Sequence, residues 1–195
     1  MSKEEKKETK IGCDLDGVVA KHSLGGLWVK IRILKEKILK KTKNKDYYYP
    51  KTKLEQTVWK LINWLRVPDE EGLGLLQKLK NENFTFYMIT SRLKFNYPLT
   101  IKWLKKYKIL SLFEEAFVNI GDENPVGFKL KVVEEKKIDC FIDDDLEVLI
   151  KLCQTKANLF WVVPGHRNGK ENHEGRITAC RSFADALEKI KRSTL

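Results

Sequence analysis

The chemistry-bearing residues of this sequence stand at the ends of apolar runs. Asp14 and Asp16 flank Leu15 at the end of such a run and are followed by Gly17. On an extended chain, side chains two residues apart share a side, so these two carboxylates repel each other. A hard cation relieves that repulsion, because Mg²⁺ takes carboxylate oxygens and keeps room for water and phosphate oxygens. A second apolar run, FTFYMI, closes on Thr90-Ser91-Arg92, and a later one, CFI, closes on Asp143-Asp144-Asp145. Lys129 precedes Asp143 by fourteen residues. Acids, hydroxyls and a lysine brought to one rim could hold a cation and a phosphate together. Taken singly, each group has a plainer role: acids favour helix N-termini, and Lys129 could be an ordinary surface lysine. Lys131 competes with Lys129, Asp144 competes with Asp143 as the direct ligand, and Arg92 fits a substrate contact or a surface salt bridge equally well.

To meet, these groups need a sheet whose strands all end on one side. Residues 11–19, 84–90, 116–120, 139–143 and 157–163 read as strands, and their mostly continuous apolar character suits burial on both faces of a parallel sheet. Helical periodicity falls at 69–82, 98–108, 128–137 and 144–153, and in SFADALEKI, where Ser182 is placed to cap the start. The alternation predicts an α/β fold, a three-layer Rossmann-like parallel sheet of about five strands. In such a sheet, ligands sit outside the carboxyl ends of the strands.

Residues 20–68 break the alternation. They show two amphipathic patterns, Leu27, Ile31, Leu34, Ile38 and Leu54, Val58, Leu61, Leu65, separated by KTKNKDYYYPKT. The division expected is a disordered leader over 1–10, a core domain over 11–19 and 69–195, and a helical cap inserted over 20–68. The polar, Gly-containing loop 164–176 is expected to be mobile.

Composition narrows the classes. In 195 residues, 42% are hydrophobic, which argues against disorder. No apolar run approaches the roughly 20 residues that span a bilayer. The charged N-terminus lacks the apolar core of a signal peptide, and the four cysteines lack zinc-site spacing, so a cytoplasmic chain with reduced thiols is expected. The net charge is +11, and residues 21–60 alone hold twelve Lys/Arg against three Asp/Glu. That excess suits anionic partners, phosphate esters or nucleic acid, and equally a solvated helix face.

The set DxDGVV…ITSR…FIDDD, with a lysine at a helix start, resembles the haloacid dehalogenase-like phosphatase superfamily, and within it most resembles the 5′-nucleotidases and deoxyribonucleotidases. The resemblance runs from about residue 11 to 190 and includes the position of the insertion. It implies a Mg²⁺-dependent phosphomonoester hydrolase working through an aspartyl-phosphate. Asp14 would be nucleophile and metal ligand. Asp16 would be the acid and base, giving the metal its backbone carbonyl. Thr90 and Ser91 would bind phosphate, Lys129 would neutralise it, and Asp143 and Asp144 would complete the metal site. The cap would choose the substrate; Trp28, Trp59, Trp64 and Tyr47–Tyr49 suit base stacking or the cap's own core, and His22 suits a cap contact or an ordinary loop position. A nucleoside monophosphate is the expected substrate. The alternatives are a sugar phosphate, a nucleic-acid end, or a scaffold protein of the same fold.

Overall fold

The apolar runs of the sequence become the middle of one parallel sheet. In the computed structural model, residues 8–22, 49–163 and 175–194 are described. The first amphipathic pattern of the insertion, Trp28, Tyr47, Tyr48 and most of loop 164–176 lie outside the described residues. In chain order the elements are β1 (Thr9–Cys13), β2 (Ala20–His22), α1 (Lys53–Trp64), β3 (Arg66–Pro68), α2 (Glu70–Leu79), β4 (Phe84–Thr90), α3 (Tyr97–Lys106), β5 (Glu115–Val118), α4 (Pro125–Lys136), β6 (Cys140–Asp143), α5 (Leu146–Leu152), β7 (Asn158–Val162), β8 (Ile177–Cys180) and α6 (Phe183–Thr194). The main sheet has the order β5-β4-β1-β6-β7-β8, and every neighbouring pair is parallel. This is the expected three-layer α/β fold, with six strands rather than about five. The strand not foreseen is β8.

Strand alternation builds the layers. Phe86 and Met88 face one side and pack with Leu76 and Leu79 of α2, Trp103 and Leu104 of α3, and Phe183, Leu187 and Ile190 of α6. Tyr87 and Ile89 face the other side, with Val132 and Val133 of α4 and Leu149 and Leu152 of α5. Each large side chain so buried contributes roughly 1.5–3 kcal/mol relative to exposure. Gly12 of β1 allows the close approach of β6, since a Cβ there would lie 2.7 Å from the Phe141 ring. Ser182 does cap α6, its Oγ accepting from the Asp185 amide at 3.1 Å.

Three expectations change. The first strand covers 9–13 rather than 11–19, because the chain turns at the acids. Thr9 and Lys10, placed in the leader by the sequence, are its first two residues. The segment 20–68, expected to hold two helices and no strand, begins and ends in short strands. β2 and β3 form an antiparallel ribbon pairing Ala20 with Pro68 and His22 with Arg66, at three residues each too brief to show a pattern. The helix expected between them is present as α1, closed by a reciprocal cap between Thr52 and Glu55. Its stripe Leu54, Val58, Leu61 and Leu65 is exposed. Trp64 packs against the core, with the Lys102 and Lys106 ammonium groups 5.6 and 5.3 Å from its ring. Among the described residues, no helix is long and apolar enough to cross a membrane.

Candidate functional site

The site begins where β1 stops. The Asp14 amide donates to the Ile142 carbonyl at 2.9 Å, which ties the strand exit to β6. Leu15 then turns fully into the core, leaving Asp14 and Asp16 at the rim. The turn closes through the Gly17 amide on the Ala20 carbonyl and the Ala20 amide on the Leu15 carbonyl, at 2.9 and 2.7 Å. Gly17 has a φ of 86°, a left-handed conformation that side chains resist. A Cβ on it would also sit 2.0 Å from the Asp144 carboxylate. Glycine is therefore required twice over: by the turn, and by the acid that leans over it.

Asp14, Asp143 and Asp144 bring carboxylate oxygens within 4.8 Å of one another. Lys129 reaches them from α4, its Nζ 3.0 Å from Asp14 and 2.7 Å from Asp143. Lys129 is buried in the second turn of that helix, since Asn124 and Pro125 start it earlier than the 128–137 expected. Lys131 is exposed. The three consecutive acids divide their work. Asp143 is buried on Lys129 and accepts the Asp145 amide at 3.0 Å. Asp144 is exposed and faces the cluster. Asp145 caps α5, accepting from the Glu147 and Val148 amides. Burial, together with the charges of Asp143 and Asp16, pushes the Asp14 carboxyl up to about 7 against the pull of Lys129. Burial opposes the charge on Lys129, but Asp14 and Asp143 more than offset it and hold the ammonium form firmly. Once all three acids are ionised, three carboxylates against one ammonium leave two negative charges at the rim, which matches a divalent cation with oxygen preference.

Thr90 and Ser91 close β4 beside this cluster's strand. The Ser91 hydroxyl is buried without a hydrogen-bond partner among the described residues, an orphan that a phosphoryl oxygen would satisfy. Thr90 Oγ1 accepts from the Arg92 amide at 3.3 Å. The Asp16 carboxylate stands apart from the acid cluster. Its Oδ1 lies 2.7 Å from Arg92 Nη2 and 2.8 Å from Arg66 Nε, and its Oδ2 accepts from Arg92 Nε at 2.9 Å. Burial works against its charge, yet Arg66 and Arg92 hold Asp16 well below the usual carboxylate range. Arg92 is thus neither a surface ion pair nor open to solvent. Arg66 escaped the sequence argument altogether. The one available signal was its position at the exit of the insertion, where the chain has to return to the site.

A groove of about 1000 Å³ opens at the opposite, amino end of the strands, lined by Thr9, Phe84, Cys140, Asn158 and Thr178 among others. It has the volume of a binding site, but no acid cluster among the described residues lies there. Chemistry, rather than volume, selects the carboxyl end.

No protein-family model matches the sequence, and no curated protein matches it. Solved structures do match in fold. A protein assigned as a beta-phosphoglucomutase from Thermotoga maritima aligns with a TM-score of 0.66 at 14% identity, covering 94% of this chain and 99% of that one. A 2-haloacid dehalogenase from Pseudomonas syringae pv. Tomato DC3000 aligns at 0.56 and 12%, covering 95% and 99%. A D,D-heptose 1,7-bisphosphate phosphatase from B. bronchiseptica, complexed with magnesium and phosphate, aligns at 0.51 and 13%, covering 95% and 99%. The chain therefore has the α/β fold of the haloacid dehalogenase-like hydrolases.

Proposed function

We propose that this protein is a Mg²⁺-dependent phosphomonoester hydrolase acting on a small phosphorylated substrate. The observation that carries the proposal is the Asp14–Asp143–Asp144 cluster with Lys129 against it, at the carboxyl end of the central strands. The matched fold includes a phosphatase and a phosphoglucomutase, which supports the same class.

Asp14, Asp143 and Asp144 would hold the cation, helped by the Asp16 carbonyl. The bound ion supplies charge neutralisation for a phosphate group that carries about two negative charges. An Asp14 oxygen attacks phosphorus, the bond to the leaving oxygen breaks, and an aspartyl-phosphate results. Lys129 neutralises Asp14 and the phosphoryl oxygens as charge redistributes. Thr90 and the orphaned Ser91 hydroxyl orient those oxygens. Asp16 gives a proton to the leaving oxygen, then takes one from the water that attacks phosphorus. The second attack breaks the Asp14–O–P bond and frees inorganic phosphate. Pairing with two arginines favours the carboxylate form of Asp16, so the proton it gives to a poor leaving group has to be taken up as substrate binds, and the same pairing weakens it as a base toward water.

Residues 20–68 serve in this reading as a cap over the rim, and the chain works in the cytoplasm. The motif order supports a nucleoside monophosphate as substrate. The sugar-phosphate enzymes among the fold matches support the competing class. A substrate panel decides between them: nucleotidase function requires nucleoside monophosphates to outrank sugar phosphates in kcat/KM. The reaction itself is tested with p-nitrophenyl phosphate and Mg²⁺. Asp14→Asn is expected to lower turnover by ~10³-fold or more, and unchanged turnover ends the proposal.

A further inference from the structure

Two buried guanidiniums converge on one carboxylate beside the site, and the phosphatase scheme gives neither of them a task. Each arginine is anchored from behind. Arg92 Nη1 donates to Thr100 Oγ1 at 3.3 Å, and Thr100 in turn donates to the Asn96 carbonyl at 3.0 Å. Arg66 Nη1 donates to the Ala20 carbonyl at 3.2 Å, while the Arg66 carbonyl accepts from Trp103 Nε1 at 3.0 Å. The Arg66 and Arg92 side chains are 8% and 3% exposed, whereas Asp16 is 27% exposed. The arginines therefore lie beneath Asp16 as a support, and Asp16 alone faces the opening. Arg92 grips it with two donors in a fixed fork, which fixes orientation as well as distance. Packing alone does not call for this arrangement, since apolar side chains of similar volume fill such a space at least as well as buried ions.

We infer that Arg66 and Arg92 are positioning residues that aim the Asp16 carboxylate at the leaving and attacking oxygens. Arg66 ties that aim to the β2–β3 ribbon, since it pairs with His22 across the ribbon and bonds the Ala20 carbonyl at the ribbon's other strand. The inference rests on the phosphatase scheme above. In that scheme p-nitrophenolate leaves without needing a proton, so forming the aspartyl-phosphate tolerates a misplaced Asp16. Breaking it does not, because the attacking water must lose its proton to Asp16 as the Asp14–O–P bond opens.

Rapid-mixing kinetics with p-nitrophenyl phosphate and Mg²⁺ separate the two steps. Arg92→Gln and Arg66→Gln are expected to release one equivalent of nitrophenolate per enzyme in a burst, followed by steady turnover slowed roughly 10- to 100-fold. KM is expected to fall with kcat, as it does when the later step becomes limiting. Arg92→Lys, which keeps the charge but loses the fork, is expected to show the same burst with a smaller slowing. Thermal melts with and without Mg²⁺ accompany each variant, and the Lys variant carries the test if a Gln variant unfolds. Variants that turn over as wild type, or that slow with no burst and a raised KM, overturn the inference. A wild-type protein inert toward the ester overturns the phosphatase scheme instead.

Discussion

Asp14 and Asp16 are two residues apart in the chain and have opposite surroundings. Asp14 sits among acids, with a single lysine shared between it and Asp143. Asp16 sits between two arginines and is not one of the three clustered acids. Leu15, driven into the core, separates them. The difference shows how one tight turn supports two kinds of chemistry. The side rich in negative charge could hold a cation, and on the other side two arginines balance the one carboxylate. In the proposed scheme one carboxylate binds the cation and attacks. The other is held in a fixed pose toward the opening.

Removing Lys129 breaks this contrast most severely. Lys129→Met leaves Asp14 and Asp143 buried without their partner, at a cost of roughly 3–5 kcal/mol at neutral pH. Denaturant melts should show that loss and should show it shrinking at pH 5, where the acids can protonate instead. Phosphatase activity should fall along with stability.

The pH dependence of the metal-free protein tests the same side more gently. The Asp14 carboxyl is raised to about 7 when folded. Between the unfolded carboxylate range and that value the folded protein binds more protons than the unfolded chain, so stability falls as pH rises through this window. Mg²⁺ binds the ionised acids and should counter the loss. The rise in Tm on adding Mg²⁺ is therefore expected to be larger at pH 8 than at pH 5. An equal rise at both would break the link between the acid cluster and the cation.

Smaller effects sharpen the boundary of the site. Gly17→Ala adds a side chain at positive φ, costing roughly 1–2 kcal/mol, and it must also displace Asp144. Melts should show the backbone cost, and weaker Mg²⁺ binding should show the displaced acid. Lys131→Ala, two residues from the buried lysine but exposed, should leave stability within about 0.5 kcal/mol. Its turnover should match wild type.

The parts of this arrangement that were legible in the sequence are those with strong local patterns. FTFYMIT is β4 to the residue, and the run of helices and strands after it predicts the layers. The acid cluster was visible because Asp14 and Asp143 each end an apolar run, and parallel strands deliver such ends to one rim. Asp144 and Asp145 could not be ranked in advance. Which acid caps α5 and which leans over Gly17 depends on where β6 stops, a matter of one residue. The arginine support was hidden for a different reason. Arg66 lies fifty residues from Asp16, and the contact exists only because a three-residue ribbon returns the chain to the rim. That ribbon is too short to show a period.

The contrast between the two acids is tested most directly by calorimetric titration of Mg²⁺, or of Mn²⁺ as a tighter stand-in, into wild type, Asp14→Asn and Asp16→Asn. Asp16→Asn keeps its backbone carbonyl and is expected to bind the ion within a few-fold of wild type, whereas Asp14→Asn is expected to weaken binding tenfold or more, since a direct carboxylate ligand is lost. Equal weakening in both variants, or none in Asp14→Asn, would contradict the division of the turn into a cation-binding acid and an arginine-held one.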